Sequence, residues 1–442
     1  MLRWRIAILV SVAIVLSYLD RLTLPWTLSE IQKDYPFTNS VKALFDSAFL
    51  VSYGLMYVGG GRLVDYLGTR RGFFAIMIFW SLACASQGAA ANYGMGAVSG
   101  MAFALVMLVV SRFLLGMGEG GGFPGATRAV TEWFPVKERS TAMGIINGGT
   151  AVGAMIAPIL IGLVMAYTGW FNLAPWRWVF FITGIMGLLW TLWWYLEYQP
   201  PETHPHLKDA ERAHIVAGQP AIVPGQQAAG AIPFLRLLAH REVRAIVIAK
   251  FLTDAAWYFY MFWLPKFLME MFDMKFSAAT SVGWIPYAAS GVGCLVGGSF
   301  SSWLLHRGLS VNASRKLALG FSVAFMPWVM LVPSMHSVGV VIFIFSLAFF
   351  GQQSWSTLVM VLPTDMIPRQ SVGTVAGFVG LGGAMGGVAF GQFAGLMLDL
   401  GFTYTPILII AGSLHIIALM LICVVVPRIR QVDFKLAQQH TK

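Results

Sequence analysis

The 442-residue sequence is poor in charge and in cysteine, and both shortages exclude whole classes of protein. Charged residues make up 11% of the chain, whereas an ordinary soluble domain is about a quarter charged, so a water-soluble globule is excluded. The three cysteines, Cys84, Cys294 and Cys423, are odd in number and lie in apolar stretches. The sequence therefore offers neither a disulfide framework nor a CxxC metal site, and each cysteine is expected to pack as a small core residue.

Motifs for hydrolysis and nucleotide binding are also missing. The sequence has no HExxH, GxSxG or P-loop, and Gly116-x-Gly118-x-x-Gly121 matches a dinucleotide fingerprint by letters only, since it lies in an apolar run with no preceding strand. We therefore expect no catalytic residues, no metal, no cofactor and no enzymatic activity. The net charge of +10 is dispersed over short loops and forms no basic arm, which argues against a nucleic-acid partner.

Apolar residues dominate what is present. They make up 57% of the chain, and the mean hydropathy is +0.72. Twelve apolar runs are long enough to cross about 30 Å of hydrocarbon as helices, and the alternating pattern of a membrane barrel is absent. The sequence predicts an all-α polytopic membrane protein with twelve transmembrane helices. The runs lie near 6–27, 43–61, 73–91, 101–123, 142–166, 177–196, 245–268, 279–304, 316–333, 338–362, 373–398 and 405–426.

A polar, proline-rich break separates the first six runs from the last six. Lys and Arg concentrate in the loops on one side, and the positive-inside rule then places both termini in the cytoplasm. Glu132–Gly153 aligns with Asp365–Gly386 at an offset of 233 with six identities in 22 positions, which indicates either a parallel repeat of transporter type or two small-residue helices alike by composition. The predicted parts are a six-helix half at 1–198, a solvated cytoplasmic linker at 199–242, a second half at 243–427 and a cytoplasmic tail at 428–442.

Ionisable residues within the apolar runs are the strongest functional signal, because each costs several kcal/mol at membrane depth and persists mainly when it is paired or lines a wet cavity. Arg112 and Glu119 are seven positions apart and share a helix face. Asp20 and Arg21 diverge by about 100° and need different partners, so we expect Asp20 to face Arg112 across the first and fourth helices.

A permanent arginine cation can hold an anionic substrate, and a buried carboxylate beside it can exchange a proton, which outlines a symport mechanism. The same four residues could instead form interhelical ion pairs alone. Lys250 and Asp254 are spaced i, i+4 and could satisfy each other on one helix face near the cytoplasmic end.

One loop carries a specific signature. Gly61-Arg62-Leu63-Val64-Asp65-Tyr66-Leu67-Gly68-Thr69-Arg70-Arg71 resembles the loop motif of the major facilitator superfamily, with Tyr66 and Thr69 where the motif usually has basic residues. The resemblance implies that Asp65, Arg70 and Arg71 gate the cytoplasmic helix ends. Asp65 would pair with arginine between the halves and favour the outward-facing state.

Three segments resemble the anion:cation symporter branch of this superfamily: Ser17-Tyr18-Leu19-Asp20-Arg21, Arg112 to Glu119, and Glu132-Trp133-Phe134-Pro135. Asn147-Gly148-Gly149-Thr150, Trp257 and Ser314-Arg315-Lys316 are most similar to hexuronate and related sugar-acid permeases. The resemblance implies a monomeric, proton-coupled symporter of the inner or plasma membrane that imports a hexuronate such as glucuronate or galacturonate. An organic-anion exchanger, or a permease for aldonates or aldarates such as galactonate or glucarate, is the alternative.

The resemblance also implies roles for individual residues. Asp20 and Glu119 would be the proton-coupling acids, Arg21 the ligand of the substrate carboxylate, and Arg112 a residue that tunes the acids. Uncharged ligands are expected from five further positions, for each of which core packing is an equal alternative. They are Tyr18, Tyr53, Asn147, Trp257 and Gln353. The glycines around Gly380 depart from relatives that offer an amide there, which leaves the substrate open.

Overall fold

The computed structural model describes residues 1–91, 97–135, 137–167, 170–217, 234–367 and 371–430, and helices are the only regular secondary structure in these ranges. All twelve predicted apolar runs lie in helical segments. Ten helical segments of the described chain are long and apolar enough to cross a membrane. The second and third predicted spans are not among these ten, but they are helical as well.

The first set of helices follows the chain to residue 197. Thr38 caps α2 through its side-chain oxygen, and Gly68, whose φ of 76° favours glycine, joins α2 to α3. A break at Gly121 separates α4 from α5. The helices are α1 (Leu2–Asp34), α2 (Asn39–Leu67), α3 (Thr69–Gly88), α4 (Ala97–Gly120), α5 (Gly122–Trp133), α6 (Arg139–Tyr167) and α7 (Pro175–Glu197).

The remaining helices begin with two short ones in the predicted linker. The eighth and ninth apolar runs are each divided in two, the ninth ending in a 3₁₀ segment, Pro327–Ser334. The helices are α8 (Asp209–Ala217), α9 (Phe234–Ala239), α10 (Arg241–Met271), α11 (Phe276–Gly283), α12 (Ile285–His306), α13 (Val311–Val323), α14 (Val338–Met366), α15 (Val372–Asp399) and α16 (Tyr404–Val425).

The first part of the linker, up to Ala217, packs against the helices at several positions. Leu207 and Ile215 are buried, and the Glu211 carboxylate accepts hydrogen bonds from the first backbone N–H groups of α1. Arg3 joins Glu211 to Glu138, at 2.8 and 2.7 Å. The hydrogen bonds from Arg3 lower the pKa of Glu138 below its ordinary value. The linker packs because α1 leaves N–H groups that need an acceptor.

The aligned segments of the two sequence halves pack in the same way. In each, two glycines of one helix lie against the backbone of another, where a side chain would collide. A Cβ atom at Gly149 would come within 2.7 Å of the Ser11 carbonyl oxygen, for example. The sequence likeness therefore corresponds to a common contact. The contacts are Gly149 with Ser11, Gly153 with Val15, Gly382 with Val247 and Gly386 with Phe251.

Helices α1 and α2 meet α10 and α15 at the end remote from the N-terminus. The Asp399 carboxylate at the end of α15 accepts hydrogen bonds from the backbone N–H groups of Asn39 and Ser40, both at 2.8 Å. The Lys42 ammonium lies 3.8 Å from the ring centroid of Trp263. These contacts join the two sets of helices at this end.

The cysteine expectation holds for one of three residues. Cys84 is buried, Cys294 is half-buried and Cys423 is exposed. The outer face of a membrane helix contacts lipid, so an apolar environment does not require burial inside the protein.

Candidate functional site

The centre of the site is a buried ion pair between α1 and α4. Arg21 donates from Nε and Nη2 to Oε2 of Glu119, at 3.1 and 2.9 Å, and Ser17 Oγ donates to the same oxygen at 2.8 Å. The two charged side chains are 2% and 0% exposed. Oε1 of Glu119 has no hydrogen-bond partner in the described part of the chain. A proton can therefore be added at Oε1 without displacing an existing contact.

Aromatic rings surround the Arg21 guanidinium. Its Cζ atom lies 4.6 Å from the ring centroids of both Tyr18 and Tyr53 and 5.1 Å from that of Phe49. Cation–π attraction holds the group in place while leaving it available to an anion. The structure thus brings two of the five expected uncharged ligands to the predicted arginine.

Glycines explain how α4 approaches its neighbours closely enough to form this site. A Cβ atom at Gly118 would lie 2.6 Å from Cβ of Trp80, and one at Gly116 would lie 2.2 Å from the Phe49 carbonyl oxygen. The glycines that imitate a dinucleotide fingerprint therefore serve helix packing.

Asp20 does not face Arg112, and that expectation is wrong. Its Oδ2 atom accepts a hydrogen bond of 2.7 Å from the indole Nε1 of Trp80 on α3, with Cys84 and Thr183 beside the same carboxylate. Asp20 and Arg21 do have different partners, as their divergence on the helix requires. The error lay in assuming that a buried acid must meet a base, because an indole N–H can also satisfy a carboxylate.

Arg112 is fully buried between rings. Its Cζ atom lies 4.7 Å from the Phe49 centroid and 6.0 Å from that of Phe262. None of its three side-chain nitrogens has a hydrogen-bond partner among the described residues, and Asp46 is a nearby opposite charge. Such a guanidinium is costly unless an anion or water reaches it, so Arg112 is a candidate anion ligand as well as a neighbour of the acids.

The other predicted ligands lie in different environments. Trp257 is buried and meets Phe349 edge-on at 5.1 Å. Gln353 is half-buried and Asn147 is exposed, and no contact of either side chain with Arg21 is recorded in the described residues. These three positions are not brought to the ion pair in this conformation.

The loop motif is only partly described. Arg70 donates a hydrogen bond of 2.8 Å to the Tyr195 carbonyl oxygen on α7 and lies over the Tyr195 ring at 4.7 Å. Arg71 is exposed. The side chain of Asp65 lies outside the described residues, so its expected pairing between the halves stays a prediction.

Besides the Arg21–Glu119 pair, two ion pairs of the described residues have both side chains less than a tenth exposed. Lys250 and Asp254 form the expected ion pair at 2.9 Å. Lys42 and Asp46 form a second one at 2.5 Å on α2, which sequence reasoning missed although Asp46 lies inside a predicted span. Trp80 and Gln352 were also missed, and only their three-dimensional contacts identify them. No group of three metal-ligating side chains occurs in the described ranges.

Comparison with known proteins decides the family. Residues 10–392 match the profile of the Major Facilitator Superfamily. The chain belongs to the major facilitator superfamily. It is therefore an integral membrane transporter, not an enzyme. The fold agrees: a bacterial homologue of the lysosomal transporter Spinster in an inward-facing, unoccupied conformation matches with a TM-score of 0.70 at 17% identity, over 96% of this chain and 95% of that one.

The proton:xylose symporter XylE matches with a TM-score of 0.69 at 14% identity, over 99% and 98% of the two chains. Among proteins similar in sequence, the hexuronate transporter of Escherichia coli K12 is 26% identical over 91% of this chain and 89% of its own. The galacturonate transporter of Dickeya chrysanthemi is 30% identical over 74% and 89%. A probable galactarate/D-glucarate transporter of Bacillus subtilis is 27% identical over 99% and 94%.

Proposed function

We propose that this transporter is a proton-coupled symporter that imports an anionic sugar acid by alternating access, with hexuronates such as glucuronate or galacturonate as substrates. The names of the similar transporters support the sugar acid. The observation that carries the proton coupling is the buried Arg21–Glu119 pair, in which one carboxylate oxygen takes every hydrogen bond and the other takes none among the described residues.

The proposed cycle begins with this pair intact. A proton added at Oε1 of Glu119 removes the negative charge that holds Arg21. The guanidinium group can then donate two hydrogen bonds to the substrate carboxylate. Tyr18 and Tyr53 supply rings and hydroxyl groups next to it, which suit a polyhydroxylated ligand. Substrate and proton then bind together. The proton frees Arg21 from Glu119, and the substrate carboxylate replaces the negative charge that Glu119 has lost.

Asp20 and Arg112 have supporting roles in this proposal. Asp20 is a second proton acceptor, held by Trp80 until the proton arrives. Arg112 remains cationic and stabilises whichever acid is ionised. Asn147, Trp257 and Gln353 would reach the substrate as the helices close around it, and Asp65, Arg70 and Arg71 would gate the cytoplasmic ends.

Two six-helix halves, 1–198 and 243–427, would move against each other, with the linker, the tail and both termini in the cytoplasm and the protein in the inner or plasma membrane. In that orientation the contacts of Asp399 with Asn39 and Ser40 lie at the outer surface. They would close the outer side of the substrate path, and breaking them would open it.

Transport by the purified protein in proteoliposomes tests this proposal. Uptake of labelled galacturonate driven only by an inwardly directed proton gradient is the expected result, with wild-type protein and a matched preparation of empty vesicles compared at the same gradient. Exchange of internal for external galacturonate without gradient-driven accumulation would favour an organic-anion exchanger, a function that a fixed arginine site can serve without protons. A screen with glucuronate, galactonate and glucarate would define the substrate.

A further inference from the structure

A second charged pair lies on α10, in the other set of helices. Nζ of Lys250 lies 2.9 Å from Oδ1 of Asp254 and donates to Ser356 Oγ at 2.6 Å. Gln352 Nε2 donates to the same Oδ1 at 3.2 Å, and its Oε1 atom is hydrogen-bonded to Nε2 of His415. Polar residues of α10 and α14 therefore converge on one carboxylate, and α16 is joined to it through Gln352.

This pair and the Arg21–Glu119 pair lie beside the same aromatic cluster. Tyr258 lies one turn beyond Asp254 on α10, and its ring centroid is 5.7 Å from that of Phe262. Phe262 meets Phe49 of α2 at 6.4 Å, and the Phe49 ring centroid lies 5.1 Å from Cζ of Arg21. Aromatic rings of both helix sets thus connect the Arg21–Glu119 pair to the face of α10 that carries Asp254.

The contact between α10 and α15, in which Asp254 lies against Gly383, has a counterpart that lacks an ion pair. Val247 and Phe251 of α10 contact glycines of α15. Ser11 and Val15 of α1 contact glycines of α6 in the same way, and the two sets of positions differ by 236. At the same offset, Lys250 corresponds to Ile14 and Asp254 to Tyr18. Helix α1 makes the equivalent contact with no ion pair at these positions, which points to a role beyond packing.

Lys250 retains capacity for a ligand. An ammonium group has three N–H donors, and the described partners of Lys250, Asp254 and Ser356, take two of them. The amide of Gln352 also donates to Asp254, so the carboxylate does not depend on Lys250 alone for its hydrogen bonds. The side chains of Lys250 and Asp254 are each 8% exposed, compared with 2% and 0% for Arg21 and Glu119.

We propose that Lys250 is a specificity-determining anion ligand, which binds the second acidic end of a sugar acid whose first carboxylate is held by Arg21. This inference rests on the proposed function, because it takes Arg21 as the first anion ligand. Sugar acids with one carboxylate use Arg21 only. Sugar acids with a carboxylate at each end span the aromatic cluster and bind both Arg21 and Lys250.

Galactonate and galactarate provide the test, since both are open chains of the same configuration and differ only in whether the far end is a hydroxymethyl group or a second carboxylate. The half-saturation concentration for uptake is measured for both compounds with wild-type protein and with the double variant Lys250→Met, Asp254→Asn, which removes both charges together and leaves no buried charge unpaired. The matched control is Lys266→Met, Glu270→Gln, which removes an i, i+4 pair at the other end of the same helix and keeps an acceptor for the Tyr404 hydroxyl.

We expect the double variant to raise the half-saturation concentration for galactarate by about tenfold or more, the effect of losing one charged hydrogen bond, and to leave that for galactonate within about threefold. The control should change neither. An equal loss for both compounds, or no loss for either, would overturn the inference, as would wild-type protein that takes up galactonate but not galactarate. Wild-type protein that takes up no sugar acid would instead contradict the proposed function.

Discussion

Replacing Glu119 by glutamine gives the sharpest test of the coupling mechanism, because it fixes the side chain in a neutral state. Glutamine retains an oxygen that can accept hydrogen bonds from Ser17 and Arg21, but the two bonds from Arg21 no longer meet a charge. A hydrogen bond to a charged group contributes about 1.5–3 kcal/mol, and a neutral one about 0.5–1.5 kcal/mol. Two such changes weaken the hold on Arg21 by about 2 kcal/mol.

That free energy becomes available to the substrate carboxylate. Since 1.4 kcal/mol corresponds to tenfold in affinity, Glu119→Gln should bind substrate about 30-fold more tightly than wild type at a pH at which the wild-type pair is ionised. Titration calorimetry in detergent measures this. In proteoliposomes, exchange of internal for external substrate should survive in the variant, whereas accumulation driven by a proton gradient should be lost.

Ser17→Ala is the matched control. It removes a neutral hydrogen bond from the same carboxylate oxygen and leaves both charges in place, so accumulation should persist. If Glu119→Gln loses exchange and accumulation equally, or binds substrate no more tightly than wild type, Glu119 is a structural partner of Arg21 and the coupling argument fails.

Three further predictions follow from individual contacts. Arg21→Lys keeps the charge but loses the fork, so substrate affinity should fall by about tenfold with the protein still in the membrane, and unchanged affinity would remove Arg21 from the site. Asp20→Asn can still accept the hydrogen bond from Trp80 but cannot take up a proton, so we expect substrate exchange without gradient-driven accumulation. Full accumulation of substrate by this variant would show that the coupled proton binds elsewhere. Glu138→Gln should lower the unfolding temperature at neutral pH. Because Arg3 lowers the pKa of Glu138, the ionised Glu138 carboxylate stabilises the folded protein at pH values above its ordinary pKa of 4.5. This stabilisation is lost as the pH falls through the lowered pKa, so the unfolding temperatures of variant and wild type should converge there. A difference that stays constant with pH would contradict this.

Segment length and hydrophobicity predicted the helices well, because a membrane-spanning segment must satisfy its own backbone within an apolar run of defined length. The partners of the buried charges were harder to predict. The spacing of Lys250 and Asp254 lies within one helix and gave the correct pair. The partner of Asp20 is an indole from α3, and no local spacing indicates it.

Helix phase also limits what the sequence can predict. Gln352 and Gln353 are adjacent and diverge by about 100°, and it is Gln352 that reaches Asp254. Sequence alone gives the turn of the helix but not its rotation about its own axis, which is set by packing against neighbouring helices. The contacts of the linker with Arg3 and the start of α1 could not be predicted for a related reason, since they join positions more than 200 residues apart.

The glycine contacts indicate where movement can occur. Helix α6 on α1, and α15 on α10, are joined through backbone at Gly153 and Gly386, where any side chain would collide, so each pair of helices is expected to move as one body. The two sets of helices also meet closely, since a Cβ atom at Gly395 of α15 would come within 2.7 Å of the Asn39 carbonyl oxygen on α2. Hydrogen bonds and ring contacts, such as those of Asp399 with Ser40 and Lys42 with Trp263, join the two sets at the same end. In the alternating access that we propose, these contacts between the sets must separate while the α1–α6 and α10–α15 pairs stay together.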